Sequence, residues 1–214
     1  LRLSSAASDV YKRQIDNRLK LQFVEPGNPI PADTKLIIIP GTKSTIADLK
    51  FLKYQGWDID IKAHYRRGGS ILGICGGYQI LGNEIIDDQG YDGTPSKAKG
   101  LGLLNVKTKM GKEKNLGKKE FISTINGKKI SGYEIHLGIT SGSDCNNPFA
   151  ILGNRKDGAI SSNGLVMGTY LHGLFFSDEF RNNFVAKLSS EEKKEDVSFH
   201  DSIEFILEEF VRVI

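Results

Sequence analysis

One cysteine in a glycine-rich turn between two apolar segments constrains this chain more than any other feature. Residues 73–82 read Gly-Ile-Cys-Gly-Gly-Tyr-Gln-Ile-Leu-Gly. The apolar residues 70–74 predict a strand buried on both faces, and residues 78–81 predict the start of a helix. The glycines permit a sharp turn at Cys75 and leave the backbone N–H groups of Gly76 and Gly77 able to face an oxyanion. Because a helix N-terminus also favours the thiolate, this position suits a nucleophile.

A small core residue is the competing interpretation of this cysteine. A nucleophilic thiol also needs a base, and the candidates are the histidines His64, His136, His172 and His200. His172 ends the predicted strand 165–171 and is followed by a glycine, so we expect its ring at the carboxyl end of a strand, where reacting groups collect in open α/β sheets. A core histidine satisfied by the backbone is the alternative. His64 falls in a polar helical segment, and His200 is typical of a cap or surface residue.

The composition predicts one globular α/β domain. The chain has 214 residues, of which 39% are hydrophobic and 26% charged. It has neither an apolar run near the ~20 residues that span a bilayer nor a secretory leader, so we expect no membrane association. Cys75 and Cys145 lie far apart and favour neither a disulfide framework nor a zinc cluster. We therefore expect a cytoplasmic protein with no metal in this domain.

Charge and the first residues of the chain complete the outline. The net charge is +3, and the lysine-rich stretch 107–129 lacks interleaved aromatic residues, which predicts a solvated loop and hairpin without a nucleic-acid partner. A polyanionic substrate or partner domain near this stretch remains an open alternative. Residues 1–14 lack an initiating Met and resemble translated vector sequence, so we expect a non-native leader followed by a domain over 15–214.

The first half of the chain has the pattern of parallel β-α-β units. Residues 19–24 alternate at period two and predict a first strand, and residues 36–39 predict a fully apolar one. A helix over 46–52, capped by Ser44 or Thr45, and a second helix over 58–67 would then lead to the strand that precedes Cys75.

The second half has the pattern of hairpins. Strands are predicted over 103–108 and 120–125, and Asn126-Gly127 is a strong two-residue hairpin signal that leads into a strand over 129–136. Asn163-Gly164 predicts another hairpin, from residues 159–162 into the strand that ends at His172. The chain is expected to close with helices near residues 178–188 and 202–214.

Four stretches together resemble the C-terminal glutamine amidotransferase domain of the cobyric acid synthases, a branch of the class I (triad) glutamine amidotransferase family. They are residues 40–49, 73–82, 132–136 and 170–175. The cysteine turn alone is shared by all class I enzymes, whereas the four stretches in combination are more specific. The resemblance implies a flavodoxin-like α/β fold with a mostly parallel central sheet, flanking helices and an added antiparallel hairpin region.

The resemblance also implies roles for individual residues. Cys75 would attack the side-chain amide of glutamine to give a γ-glutamyl thioester and ammonia, with His172 as the base and then the acid. Gly41 and Gly76 would donate backbone N–H groups to the oxyanion, and Gln79 would contact the bound glutamine. A solvent-facing helix residue is the competing interpretation of Gln79.

One position departs from the wider family. Many class I enzymes have Glu two residues after the base, and this chain has Leu174 there. We therefore expect a dyad of Cys75 and His172. An orienting acid supplied from elsewhere stays open, with the candidates Glu134, Asp178 and Glu179. Glu134 and His136 share one predicted strand, and we expect them to line an ammonia exit or a domain interface.

In the family, the ammonia is used by a synthetase domain that amidates corrin carboxylates with ATP and Mg²⁺. Residues 1–214 contain no phosphate loop, so ATP and Mg²⁺ are expected at that other domain, which these residues do not include. The alternatives are the glutaminase subunit of a complex that amidates lipid II, a cyclising a,c-diamide synthase, and a non-catalytic flavodoxin-like binding or stress protein. Members of the last class often have His directly after the cysteine, where this chain has Gly76.

Overall fold

The computed structural model describes residues 20–189, and for residues 112–119 and 189 it describes the backbone alone. The expected leader and the helix predicted for 202–214 lie outside the described residues. The elements, in chain order, are β1 (Leu36–Ile39), α1 (Thr45–Tyr54), α2 (Trp57–Arg66), β2 (Ser70–Ile74), α3 (Gly76–Leu81), β3 (Glu84–Asp87), β4 (Ser96–Lys99), β5 (Val106–Ser123), β6 (Lys129–Gly142), β7 (Ala150–Leu152), β8 (Arg155–Asp157), β9 (Ala159–Ile160), β10 (Val166–Thr169), β11 (Leu171–His172) and α4 (Asp178–Ser189).

The first sheet carries the predicted parallel unit. Its strand order is β1-β2-β10-β9; β1 and β10 both run parallel to β2, and β9 is antiparallel to β10. The central strand β2 has the predicted bounds, and Ile71, Leu72 and Ile74 are fully buried. A strand covered on both faces must be apolar throughout, which is why its run of apolar residues identified it.

The second sheet has the order β11-β6-β5-β3-β4 and contains the hairpin of β5 and β6. The hairpin predicted at Asn163-Gly164 joins β9 to β10 and lies in the first sheet. A turn lies at Asn126-Gly127 as predicted, with Gly127 at φ 69, but it is not a two-residue hairpin. Ser123 donates its N–H to the Lys128 carbonyl at 2.8 Å, so residues 124–127 form the loop, because Gly127 has positive φ and Asn126 does not. The two strands predicted over 103–108 and 120–125 are one strand, β5, with a register shift between Lys109 and Lys114. Its lysine-rich middle has no apolar alternation, and backbone pairing with β6 extends the strand through it.

The strand predicted over 19–24 is wrong for its described residues, 20–24, which form no strand. The chain that follows lies against α2 instead. Trp57 donates its indole N–H to the Asn28 carbonyl at 2.8 Å, and Asp60 accepts the backbone N–H of Ile30 at 3.0 Å. Period-two alternation becomes a strand only where a sheet edge is available for pairing, and here the chain is held by helix side chains.

The helix α1 begins at Thr45, close to its predicted start, but the predicted cap is wrong. Ser44 occupies the cap position without a side-chain hydrogen bond to the helix. The carboxylate of Asp92 accepts the N–H groups of Thr45 and Ile46, both at 3.0 Å. A carboxylate from another loop satisfies two helix-end donors at once and is favoured by the helix dipole. Burial raises the pKa of Asp92 from its ordinary value.

A sharp turn joins β2 to α3. Cys75 has φ 54 and ψ −111, and within residues 20–189 it is the one non-glycine residue with positive φ. The helix α3 packs closely against the end of β1. A Cβ added to Gly77 would stand 1.9 Å from the Ile39 carbonyl oxygen, so only glycine fits there. Such strain persists only where the surroundings hold it in place.

The strand predicted over 165–171 is divided between the two sheets, which corrects the prediction. β10 pairs with β2, whereas β11 pairs antiparallel with β6. We call residues 169–171, where the chain passes from one sheet to the other, the crossing. There the buried Asp157 carboxyl accepts hydrogen bonds from the Thr169 hydroxyl and from the Tyr170 N–H, the latter at 3.2 Å. The apolar run continues through both strands, so the sequence pattern does not reveal the break.

We expect the stability of the protein to fall between about pH 4 and pH 7 because of Asp157. Burial raises the pKa of Asp157 to about 7. In that interval the folded protein keeps a proton that the unfolded chain has lost, so stability decreases as pH rises, by at most about 1.4 kcal/mol per pH unit. Asp157→Asn removes this titration. The wild-type minus variant difference in free energy of unfolding, measured by urea denaturation, should decline over this interval, and a constant difference would contradict the assignment.

We expect Gly77→Ala to destabilise the protein by about 3 kcal/mol, because the added methyl would meet backbone atoms that cannot move aside. Gly111→Ala is the matched control, since a Cβ there meets nothing within 4 Å. The control should change the free energy of unfolding by less than about 1 kcal/mol. Equal effects of the two substitutions in chemical denaturation would show that the contact at Gly77 is not tight.

Candidate active site

Cys75 lies at the end of the parallel sheet and against β6. Its side chain is buried, with 8% exposed, and its thiol donates a hydrogen bond to the Ile135 carbonyl at 3.3 Å. Its backbone N–H donates to the Thr169 carbonyl at 2.8 Å. The turn therefore presents the sulfur to the second sheet while its backbone stays tied to the first.

His172 lies at the same stretch of β6. In β11 it pairs with Tyr133, two residues before Ile135, and its ring stacks on that of Tyr133 with centroids 5.2 Å apart. The residue is 4% exposed. The structure thus brings the turn of Cys75 and the segment that carries His172 to residues 133–135 of one strand. Their roles as nucleophile and base remain predictions.

The loop after β1 packs on the first turn of α3, which places Gly41 and Gly76 in neighbouring segments. A Cβ added to Gly76 would meet Cγ2 of Thr42 at 2.5 Å. The loop is fixed internally, because the Thr42 hydroxyl donates to Asp48 and accepts the Ser44 N–H at 3.0 Å. Donation of backbone N–H groups to an oxyanion remains a prediction for both glycines.

Gln79 is buried, so its interpretation as a solvent-facing residue is wrong. Its Nε2 donates to the Leu137 carbonyl at 3.0 Å and to the Tyr170 hydroxyl at 3.2 Å, and its Oε1 accepts from the Thr45 hydroxyl at 3.1 Å. The amide links α3 to α1, β6 and the crossing between the sheets. Its contact with bound glutamine stays a prediction.

Glu134 and His136 point from β6 into a cavity of about 210 Å³ that Tyr170, Arg155 and other residues also line. Glu134 forms an ion pair with Arg155 at 2.5 Å. The His136 ring stacks on Tyr170 at a centroid distance of 3.7 Å, and burial lowers the pKa of His136, which favours its neutral form. Burial also raises the pKa of Tyr170 to about 12.

The three candidate orienting acids are each paired with a cation. Glu134 pairs with Arg155, as described, Asp178 with Arg181 at 2.6 Å, and Glu179 with Lys128 at 3.4 Å. One buried acid near the site, Asp157, was not identified from the sequence. It precedes a glycine at residue 158, and Asp-Gly is a common turn signal, so no pattern in the sequence distinguishes it from a loop residue.

Of the other histidines, His64 is structural. It is 2% exposed, and its Nε2 hydrogen-bonds with the Ser70 carbonyl at 3.0 Å. Its polar-looking segment therefore conceals a buried ring that holds α2 to the start of β2. His200 lies outside the described residues.

Among residues 20–189, no helix combines the length and the apolar content that crossing a bilayer requires. Solved structures share the fold. A structure of PurLQS from Thermotoga maritima matches with a TM-score of 0.59 at 19% identity, covering 95% of this chain and 94% of that one. A crystal structure of a glutamine amidotransferase matches with a TM-score of 0.53 at 19% identity, covering 75% and 82%. These likenesses confirm the predicted flavodoxin-like class I fold.

Sequence comparison is more specific. Cobyric acid synthase of Cereibacter sphaeroides is 49% identical over 190 residues, which cover 89% of this chain and 39% of that protein. Cobyric acid synthase of Bradyrhizobium diazoefficiens is 46% identical over 200 residues, covering 94% and 41%. The chain thus spans about two fifths of the length of these relatives. The profile of the CobB/CobQ-like glutamine amidotransferase domain matches residues 9–180, and the chain belongs to that family.

Proposed function

We propose that this chain is the glutamine-hydrolysing part of a cobyric acid synthase, with Cys75 as the nucleophile and His172 as the base. The observation that carries the proposal is the strained turn at Cys75, φ 54, whose thiol lies on the same stretch of β6 as the segment of His172. A non-glycine residue in this conformation is costly, and such strain clusters at reacting groups. The same arrangement of a nucleophile on a strand-to-helix turn serves other hydrolases.

The proposed reaction gives each of these residues a step. His172 takes the thiol proton, and the sulfur attacks the amide carbon of glutamine. The oxyanion that forms accepts hydrogen bonds from the backbone N–H groups of Gly41 and Gly76. Collapse breaks the carbon–nitrogen bond while the imidazolium gives its proton to the leaving ammonia. Water, deprotonated by His172, then attacks the thioester and releases glutamate, which returns the thiol.

The ammonia would be consumed outside this chain. The relatives named cobyric acid synthase extend well beyond the matched part, which leaves room for a synthetase domain. There ATP and Mg²⁺ would activate carboxylates of the corrin substrate for amidation. The names of the relatives favour this role over the amidation of lipid II. A non-catalytic role is disfavoured by the strained cysteine.

The cavity beside Tyr170 supports an exit path for ammonia. Glu134 and His136 supply hydrogen-bond acceptors on its wall, and Ile139, 73% exposed, lies at its edge. Ammonia released at Cys75 would pass Tyr170 and enter this cavity. It would then leave at Ile139, where the synthetase domain would dock. We therefore place Glu134 and His136 on the transit route.

We expect diazo-oxo-norleucine, an electrophilic glutamine mimic, to modify Cys75 and to leave Cys145 unmodified. The chain provides the control itself, because Cys145 is more accessible than the buried Cys75. Peptide mass spectrometry after labelling, with and without competing glutamine, makes the measurement. Equal modification of both thiols would indicate exposure alone and would contradict a glutamine site at Cys75.

In the full-length protein that carries this chain, Cys75→Ala should abolish amidation of the corrin substrate with glutamine and spare amidation with ammonium salts. The reason is that free ammonia bypasses the thioester. Cys145→Ala is the control and should keep both activities. Loss of the ammonia-dependent activity in Cys75→Ala would mean that the cysteine has a structural role.

Ile139→Trp tests the exit path. In the full-length protein we expect glutamine hydrolysis to continue while amide formed per glutamine hydrolysed falls by about half or more, because the larger ring would obstruct the cavity edge. Ile122→Trp is the matched control, since Ile122 is also an exposed apolar strand residue but does not line the cavity. An unchanged ratio in Ile139→Trp would contradict the route.

A further inference from the structure

The crossing between the two sheets depends on one buried acid. Thr169 ends β10 and Leu171 begins β11, so the chain leaves one sheet and joins the other within two peptide bonds. Asp157, 5% exposed and at the end of β8, accepts the hydroxyl of Thr169 on one carboxyl oxygen and the N–H of Tyr170 on the other. The carboxyl therefore fixes the direction of the crossing.

Both proposed reacting residues are attached to this crossing. The carbonyl of Thr169 accepts the backbone N–H of Cys75 at 2.8 Å. The hydroxyl of Thr169 accepts the N–H of Leu171, the residue before His172, at 3.1 Å. The same threonine thus contacts the nucleophile turn through its carbonyl and the base-bearing segment through its side chain, and Asp157 holds that side chain.

We infer that Asp157 is a positioning residue that sets the separation of Cys75 and His172 through Thr169 and Tyr170. This inference rests on the proposed function. Asp157 acts through its two hydrogen bonds and does not contact the reacting atoms. In related enzymes the triad acid holds the base in position. Asp157 would do the same indirectly, because it orients the backbone next to His172 and does not bond the imidazole ring.

The geometry also says which substitutions preserve the arrangement. An asparagine at position 157 has the same shape, its carbonyl can accept the Tyr170 N–H, and its amide can donate to the lone pairs of the Thr169 hydroxyl oxygen. Alanine retains neither contact. If positioning by hydrogen bonds is the role of Asp157, the two variants must differ.

The test is steady-state glutamine hydrolysis by the full-length protein. Asp157→Ala should lower kcat on the order of 10²-fold, because misplacement of reacting groups by about 1 Å has that effect. KM for glutamine should stay within about three-fold, since Asp157 bonds the backbone N–H of Tyr170 and not the hydroxyl that contacts Gln79. Asp157→Asn should retain kcat within about ten-fold. A kcat within three-fold of wild type in Asp157→Ala would overturn the inference, and so would equal losses in both variants.

Two further variants keep the test decisive if Asp157→Ala does not fold. Thr169→Val removes the hydroxyl without changing the size of the side chain, whereas Thr169→Ser keeps the hydroxyl. Thr169→Val should lower kcat with KM unchanged, whereas Thr169→Ser should keep kcat near the wild-type value. Asp60→Asn, which alters a carboxylate of α2 that accepts the Ile30 N–H, is the control for replacement of an acid by its amide.

The outcomes separate this inference from the proposed function. A wild-type protein that neither hydrolyses glutamine nor reacts at Cys75 with diazo-oxo-norleucine would overturn the proposed function and this inference with it. An active wild-type protein whose Asp157→Ala and Thr169→Val variants keep their kcat would overturn the inference alone. The predicted result is an active wild type, a kcat loss in both of these variants and recovery in Asp157→Asn and Thr169→Ser.

Discussion

The hydrogen bond from the Cys75 N–H to the Thr169 carbonyl, 2.8 Å long, joins the parts of the candidate site. On one side of it lies a turn whose strain is on the order of 1–3 kcal/mol. The turn is held in place because Gly77 lies against the Ile39 carbonyl and because residues 71–74 of β2 are buried. On the other side lies the crossing to β11, which Asp157 fixes. Backbone contacts between the two sheets therefore position Cys75 and His172, the two residues proposed to react.

The strand β6 contacts the turn at Cys75 through its backbone and lines the cavity with its side chains. Its backbone carbonyls at Ile135 and Leu137 accept the Cys75 thiol and the Gln79 amide. Its side chains at Glu134 and His136 line the cavity next to Tyr170. The turn at Cys75 and the cavity therefore both lie against β6.

The sequence predicts those parts of the fold that local physics determines. The apolar run of β2 is typical of a strand buried on both faces, and Gly127 tolerates the positive φ in the turn that joins β5 to β6. The cysteine turn was identified for the same reason, since its glycines have no role in an ordinary helix start. The four stretches that resemble the family then gave its class, and comparison with known proteins confirmed it.

The parts that the sequence does not predict depend on distant partners. Asp92 caps α1 from a loop 46 and 47 residues away, and a nearby serine looked like the cap. The break after Thr169 is invisible in an apolar run, because it depends on Asp157 and on a free edge of β6. Gln79 faces inward because Thr45, Leu137 and Tyr170 surround it. Residues 20–24 alternate without a neighbouring strand to pair with.

Capture of the covalent intermediate tests the central claim most directly. The full-length protein would be mixed with glutamine labelled in its carbon chain, stopped in acid within the first turnover, digested and analysed by mass spectrometry. The account predicts a γ-glutamyl thioester on the peptide that contains Cys75. Glutamate formed at the normal rate without label on that peptide would contradict it, because the amide would then be cleaved without the sulfur.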